Sequence, residues 1–145
     1  MAGQRVRAAV YSTTRGSSHE KLKGVELVEV DYNKPETLIP AFKDADKLFL
    51  LTPASPKAAK LATNLVNEAK NAGIRQIVKQ SILGAESGLD VAPLRLHRQA
   101  EKIIESGIPF TFLRPNSFMQ NFVNFYSPTI KSKNAFYLPA ARTGS

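Results

Sequence analysis

Apolar positions along this chain follow two rhythms that take turns. Five short runs rich in β-branched or aromatic residues read as strands: Arg5 to Tyr11, Val25 to Val30, Lys47 to Leu51, Gln76 to Gln80 and Phe110 to Leu113. The runs at 25, 47 and 110 are nearly continuous in apolar character, which predicts strands covered on both faces. Helix-length segments separate most of the runs. Pro35 to Ala45 opens on a proline, which suits a first helical turn, and carries Leu38, Ala41, Phe42 and Ala45 at helical spacing. Pro56 to Ala72 sets Leu61, Ala62, Leu65, Val66 and Ala69 on one face and stops at Gly73. Leu94 to Ser106 turns Leu96, Ala100, Ile103 and Ile104 inward and ends at Gly107. The polar stretch Thr14 to Gly24 reads as a short helix, and Tyr126 to Ser145 as loop with one strand near Phe136 to Leu138.

Strands alternating with helices of this length imply right-handed crossovers and a doubly wound parallel sheet, so the fold class is α/β. A length of 145 residues suits a single domain over 1–145. Hydrophobic residues at 43% and charged ones at 22% fit a globular chain. The longest apolar stretches, such as Leu48 to Leu51, fall far short of a membrane span, and no signal segment is read at the start. With no cysteine there is neither a disulfide framework nor a thiolate metal site, and a cytoplasmic location is expected.

The net charge of +8 raises the question of nucleic acid. Residues 1–94 hold 13 basic and 10 acidic side chains and residues 95–145 hold 7 and 2, so the surplus is spread out, with no basic run. A solvated basic surface with some attraction for anionic ligands is expected, with neither nucleic acid nor membrane as partner.

In an open parallel sheet, ligands bind beyond the carboxyl ends of the strands. Those positions read Tyr11, Ser12 and Thr13; Asp31 and Tyr32; Thr52 and Pro53; Ser81; and Arg114, Pro115 and Asn116. Small hydroxyls and a carboxylate there suit a nucleotide. Each also has a local reading: Ser55 caps a helix that starts at Pro56, and Asp31 makes an Asx turn ahead of Pro35. Ser81 alone says little. His97 and Glu101, four apart, share a helix face, so the carboxylate could orient the imidazole. His19 stands in the polar early segment and not at ligand spacing from His97, so no metal site is expected. A dinucleotide site also needs a glycine-rich turn after a strand, yet the eight glycines, at 3, 16, 24, 73, 84, 88, 107 and 144, form no such turn.

Several stretches resemble the NmrA-like branch of the atypical short-chain dehydrogenase/reductases. They are Gly24-Val-Glu-Leu-Val-Glu-Val-Asp31, Leu50-Leu-Thr-Pro-Ala-Ser-Pro56, His97-Arg-Gln-Ala-Glu101, Ser106-Gly-Ile-Pro-Phe-Thr-Phe-Leu-Arg-Pro-Asn116 and Phe118-Met-Gln-Asn-Phe122. The resemblance covers roughly residues 4–139. It implies a Rossmann fold and NAD(P) as cofactor; some members reduce quinones or small carbonyl compounds, and others are redox-sensing regulators. The family pattern would put Tyr11 and its neighbours near the adenosine ribose, Asp31 at the adenine, Thr52 and Pro53 along the cofactor, and Asn116 toward the nicotinamide. Many relatives carry arginine where Tyr11 stands. The dehydrogenases' tyrosine and lysine would fall at Pro93 and His97, and proline cannot donate a proton.

Set beside the family, the chain starts at the second strand of a truncated Rossmann fold. If the neighbours of the missing strand close the gap, the five strands run in the flavodoxin-like order 2-1-3-4-5. A partner chain, such as a second copy in a homo-oligomer, completing the sheet is the alternative. Three functions follow: an NAD(P)-binding-type domain with weakened or no dinucleotide affinity, an NAD(P)H-dependent reductase completed by another chain, or a redox-sensing regulatory module.

Overall fold

A computed structural model describes residues 5–14, 22–52, 55–88, 90–105 and 107–135. The chain packs as two compact units, residues 1–114 and 115–145.

In the first unit all five expected strands form: β1 (Val6–Val10), β2 (Val25–Glu29), β3 (Lys47–Leu50), β4 (Gln76–Gln80) and β5 (Phe110–Leu113). Every pairing is parallel. The neighbours β1-β2, β3-β4 and β4-β5 are those of the order 2-1-3-4-5. β1 pairs β2 in one sheet, β3-β4-β5 form another, and among the described residues no ladder joins β1 to β3.

The first helical segment starts as a 3-10 turn at Pro35–Thr37 and continues as α1 (Leu38–Phe42). It stops short of Ala45 because Lys43 turns to an extended ψ of 128°, and Asp44 follows at a positive φ of 57°. Arg7 in β1 closes its end, with Nη1 donating to the carbonyls of Ala41 (3.0 Å) and Lys43 (2.7 Å), and Nε pairing across the ladder with Glu26 at 3.2 Å. A cation there meets carbonyls that lack helical partners.

α2 (Ala58–Asn71) and α3 (Ala92–Glu105) run close to their expected spans. Ser55 is not the N-cap expected of it: the helix starts later, with Lys57 as its N-cap residue, and Ser55 Oγ accepts from the Lys57 amide at 3.1 Å in a local turn ahead of it. Gly73, at φ +76°, ends it in a left-handed turn in which the Ile74 amide reaches back to the Ala69 carbonyl at 2.9 Å. Leu65, Val66 and Ala69 from α2 and Ile104 from α3 meet Leu50 and Ile77 of the sheet in one core, which also takes in Val30, Leu38 and Phe42.

The expectation of strands covered on both faces is not met. Strand register puts Leu48, Leu50, Ile77 and Lys79 on the helix side, whereas Phe49 and Leu113, of opposite parity, are 59% and 47% exposed. Among the described residues the helices supply a cover for one side only.

In the second unit, the loop expected from Tyr126 onward is helical in its first part. A π-helical turn, Phe122–Tyr126, runs into α4 (Ser127–Lys133). Pro128 sits in the first turn, where its missing amide is harmless, and Asn134 ends the helix at φ 49°. The helix expected over Thr14 to Gly24 has residues 15–21 outside the described set, and so has the strand near Phe136 to Leu138.

Candidate functional site

The carboxyl ends of β1, β2 and β3 open on one cleft of about 510 Å³. Its lining is Tyr11, Val30, Asp31, Tyr32, Asn33, Leu51, Thr52 and Leu61. This is the size and mostly apolar character of a small-molecule site with a few polar groups to fix orientation.

Local structure shapes each polar group. Asp31 makes the Asx turn: its Oδ1 accepts from the Asn33 backbone amide at 2.9 Å and the Asn33 side chain at 3.0 Å. The Asn33 backbone amide, then its side chain, hold the Asp31 carboxyl below its ordinary range, so it is ionised at neutral pH. Thr37 fixes the turn from below, accepting from the Asp31 amide at 3.0 Å. Asn64 on α2 donates to the Tyr32 carbonyl at 3.2 Å, tying that loop to the helix. Burial raises the Tyr32 phenol above its usual value, so it stays protonated. Tyr11 is 76% exposed and offers its ring. Thr52 is buried, and its Oγ1 accepts from the Lys79 ammonium at 3.0 Å.

Behind this cleft, the ends of β4 and β5 meet α3 in a polar cluster that turns on Glu101, which is fully buried. Arg114 grips its carboxylate with two bonds, Nε to Oε1 at 2.9 Å and Nη2 to Oε2 at 3.0 Å. The Ser81 hydroxyl donates to Oε1 at 2.7 Å, and Arg98 to Oε2 at 3.1 Å. Burial pushes the Glu101 carboxyl up, but the bonds from Arg114, Ser81 and Arg98 together hold it below its ordinary value. Among the described residues Glu101 bonds Arg114, Ser81 and Arg98 rather than His97, so the expected carboxylate–imidazole pair is not seen. Instead His97 Nδ1 is buried without a partner among the described residues. Burial first, and then the Lys79 charge, lower the imidazole pKa, so His97 is neutral at pH 7.

Of the residues singled out in the sequence, Tyr11, Asp31, Tyr32 and Thr52 come together in the cleft. Ser12 is half-buried and does not line it. Ser81 and His97 belong to the cluster behind, and Pro53 lies outside the described residues. Asn116 opens the second unit, exposed, with its Oδ1 accepting from the Ser117 amide at 2.7 Å. The sequence reading missed Asn33, Leu51 and Leu61 in the lining, and Lys79 behind Thr52. Lys79 could have been found, because it alternates with Ile77 in β4 and so must face the helices.

A second cleft of about 370 Å³ runs along α3, lined in part by Glu86, Asp90, Arg95, Arg98 and Lys102. Its charges answer one another: Arg95 with Asp90, Arg98 with Glu105, and Arg114 with Glu86.

Residues 1–134 match the family described as NAD(P)H-binding. The chain belongs to that family. Within it the chain is an NmrA-like atypical short-chain dehydrogenase/reductase. It is 34% identical over 118 residues to an NAD(P)H azoreductase of Xenophilus azovorans, covering 81% of this chain and 41% of that protein. An NmrA-like family domain-containing oxidoreductase of Aspergillus flavus is 29% identical over 133 residues, covering 84% of this chain and 43% of that protein. The crystal structure of the Citrobacter sp. triphenylmethane reductase complexed with NADP(H) superposes with a TM-score of 0.75 at 29% identity, over 87% of this chain and 45% of that one. The chain thus spans less than half the length of each of these relatives. Among the described residues no helix is long and apolar enough to cross a membrane.

Proposed function

We propose that this chain is the adenosine-binding part of an NAD(P)H-dependent reductase that acts on quinones or small carbonyl compounds. The observation that carries the reading is the cleft at the ends of β1, β2 and β3, with Asp31 and Thr52 on its wall. A flat apolar slot flanked by an ionised carboxylate and a hydroxyl fits an adenine and its ribose: the carboxylate accepts from the base or sugar, and the apolar walls desolvate the ring. When bound, the cofactor's nicotinamide would supply the hydride, and this chain's residues would hold the opposite end.

The same residues contain no glycine-rich turn for the pyrophosphate. Dinucleotide affinity is therefore weakened in this chain, and a strand and turn from another chain, such as a second copy, set between β1 and β3 would restore it. Relatives named for azo and triphenylmethane reduction support an electron-poor conjugated acceptor. A second reading, a nucleotide-sensing module without turnover, is favoured by Pro93 in α3, where the dehydrogenases' tyrosine would fall.

Titration of the chain with AMP, NADH and NADPH by calorimetry tests the reading. Measurable AMP binding is expected, with NADH and NADPH gaining little over it. Micromolar affinity for either dinucleotide would overturn the weakened binding, and no adenine-nucleotide binding at all would overturn the site. Where binding is found, NAD(P)H oxidation with a quinone separates the reductase from the sensor.

A further inference from the structure

Lys79 is an unusual occupant of its position. β4 alternates Ile77, Lys79 and then Ser81 onto the side covered by α2 and α3, and Lys79 is fully buried there. A buried ammonium ordinarily sits against a carboxylate. The nearby carboxylate, Glu101, is instead engaged by Arg114, Ser81 and Arg98. Lys79 Nζ donates to neutral oxygens, the Thr52 hydroxyl at 3.0 Å and the Gln80 carbonyl at 3.0 Å.

The first of these bonds has a directional consequence. A hydroxyl has one hydrogen and two lone pairs, and the ammonium, which can only donate, takes one lone pair of Thr52 Oγ1. The hydroxyl hydrogen must then point elsewhere, and among the described residues no acceptor takes it. Thr52 lines the cleft.

We propose that Lys79 is a positioning residue for nucleotide binding: its bond to Thr52 Oγ1 turns the Thr52 hydroxyl hydrogen into the cleft, where it donates to an oxygen of the ligand, either a ribose hydroxyl or a phosphate. The inference rests on the nucleotide reading of the cleft and adds a polarity to it. The cleft then carries a fixed donor as well as the acceptor Asp31, so the ligand needs an oxygen acceptor at Thr52. A donor itself hydrogen-bonded by a cation is polarised, which strengthens the bond it makes.

The test is calorimetric titration of the full chain with adenosine, AMP and ADP, in the wild type, Thr52→Val, Thr52→Ser, Lys79→Met and the Thr52→Val/Lys79→Met double variant. Affinity is expected to fall about tenfold in Thr52→Val and in Lys79→Met, with no further loss in the double variant, and Thr52→Ser should keep wild-type affinity. A purely structural lysine would not give this coupling. Loss already seen with adenosine identifies the ribose as the acceptor; loss confined to AMP and ADP identifies the phosphate. Unchanged affinity in either single variant, or losses that add in the double, would overturn the positioning role, as would a Lys79→Met chain that fails to fold. If the wild type binds none of the three nucleotides, the nucleotide reading itself falls.

Discussion

The two ladders of the first unit are built from the same kind of parallel strand yet divide the work unequally. Around β3-β4-β5, Leu50, Leu65, Ile77 and Ile104 pack together, and the Glu101 carboxylate is bonded by Arg114, Ser81 and Arg98. Beside β1-β2, α1 is a helix of five residues, and the strand ends line the cleft with Asp31 and Asn33. Asn33 donates twice to Asp31, both times to Oδ1, and Thr52, beyond the end of β3, lines the same cleft. A polar group that has exhausted its bonding locally is structure, and one with capacity directed into a cleft is a recognition element.

The largest expected effect sets the two ladders against each other in stability. Leu65→Ala, at the heart of the three-stranded side, should lower unfolding free energy by about 3 kcal/mol, and Val28→Ala, half-buried in β2, by about 1 kcal/mol. Urea denaturation followed by circular dichroism measures both, and equal losses would break the comparison.

Next comes Glu101→Gln, which leaves two guanidinium groups facing a neutral amide. A loss of about 2 kcal/mol at pH 7 is expected, less than for a wholly buried ion pair because Arg98 and Arg114 are each about 30% exposed. A carboxyl whose folded pKa lies below its ordinary value contributes stability that is complete above the ordinary carboxylate pKa and is lost as pH falls toward the folded value. The wild type should therefore lose stability on acidification more steeply than Glu101→Gln, and parallel curves would count against the ion-pair account.

The smallest effect has the opposite sign. Burial lowers the Lys79 pKa, with Glu101 opposing, so the charged amine destabilises the fold wherever it is protonated. Lys79→Met should raise stability by about 1 kcal/mol at neutral pH. The gap should narrow as pH rises from the folded pKa toward the ordinary lysine range, because the wild type is relieved of its charge there. Thermal melts from pH 6 to pH 10 read this directly.

Much of the fold was legible from periodicity, because strands and helices of this length bury their apolar faces with different repeats. Val25–Glu29, Gln76–Gln80 and Phe110–Leu113 came within a residue of their observed spans, and the helix stop at Gly73 lies where the sequence put it. The junction between the two ladders was not legible, since no local pattern says whether the edges of β1 and β3 meet. Nor was the helix after Tyr126, because Ser127–Lys133 buries none of its residues and so shows no amphipathic repeat. In the site, Tyr11, Asp31, Tyr32 and Thr52 could be named because topology alone places strand ends together. Ser81 stands at a strand end too, but its hydroxyl turns to Glu101, a contact made across 20 residues that spacing cannot announce.

The nitrogen-15 spectrum of the chain during AMP titration tests the central claim most directly. Amide shifts should concentrate at Tyr11, Asp31, Tyr32, Asn33 and Thr52, with the residues of the charged cleft along α3 unmoved. Shifts gathered at Asp90, Arg95, Arg98 and Lys102, or none at saturating nucleotide, would contradict it.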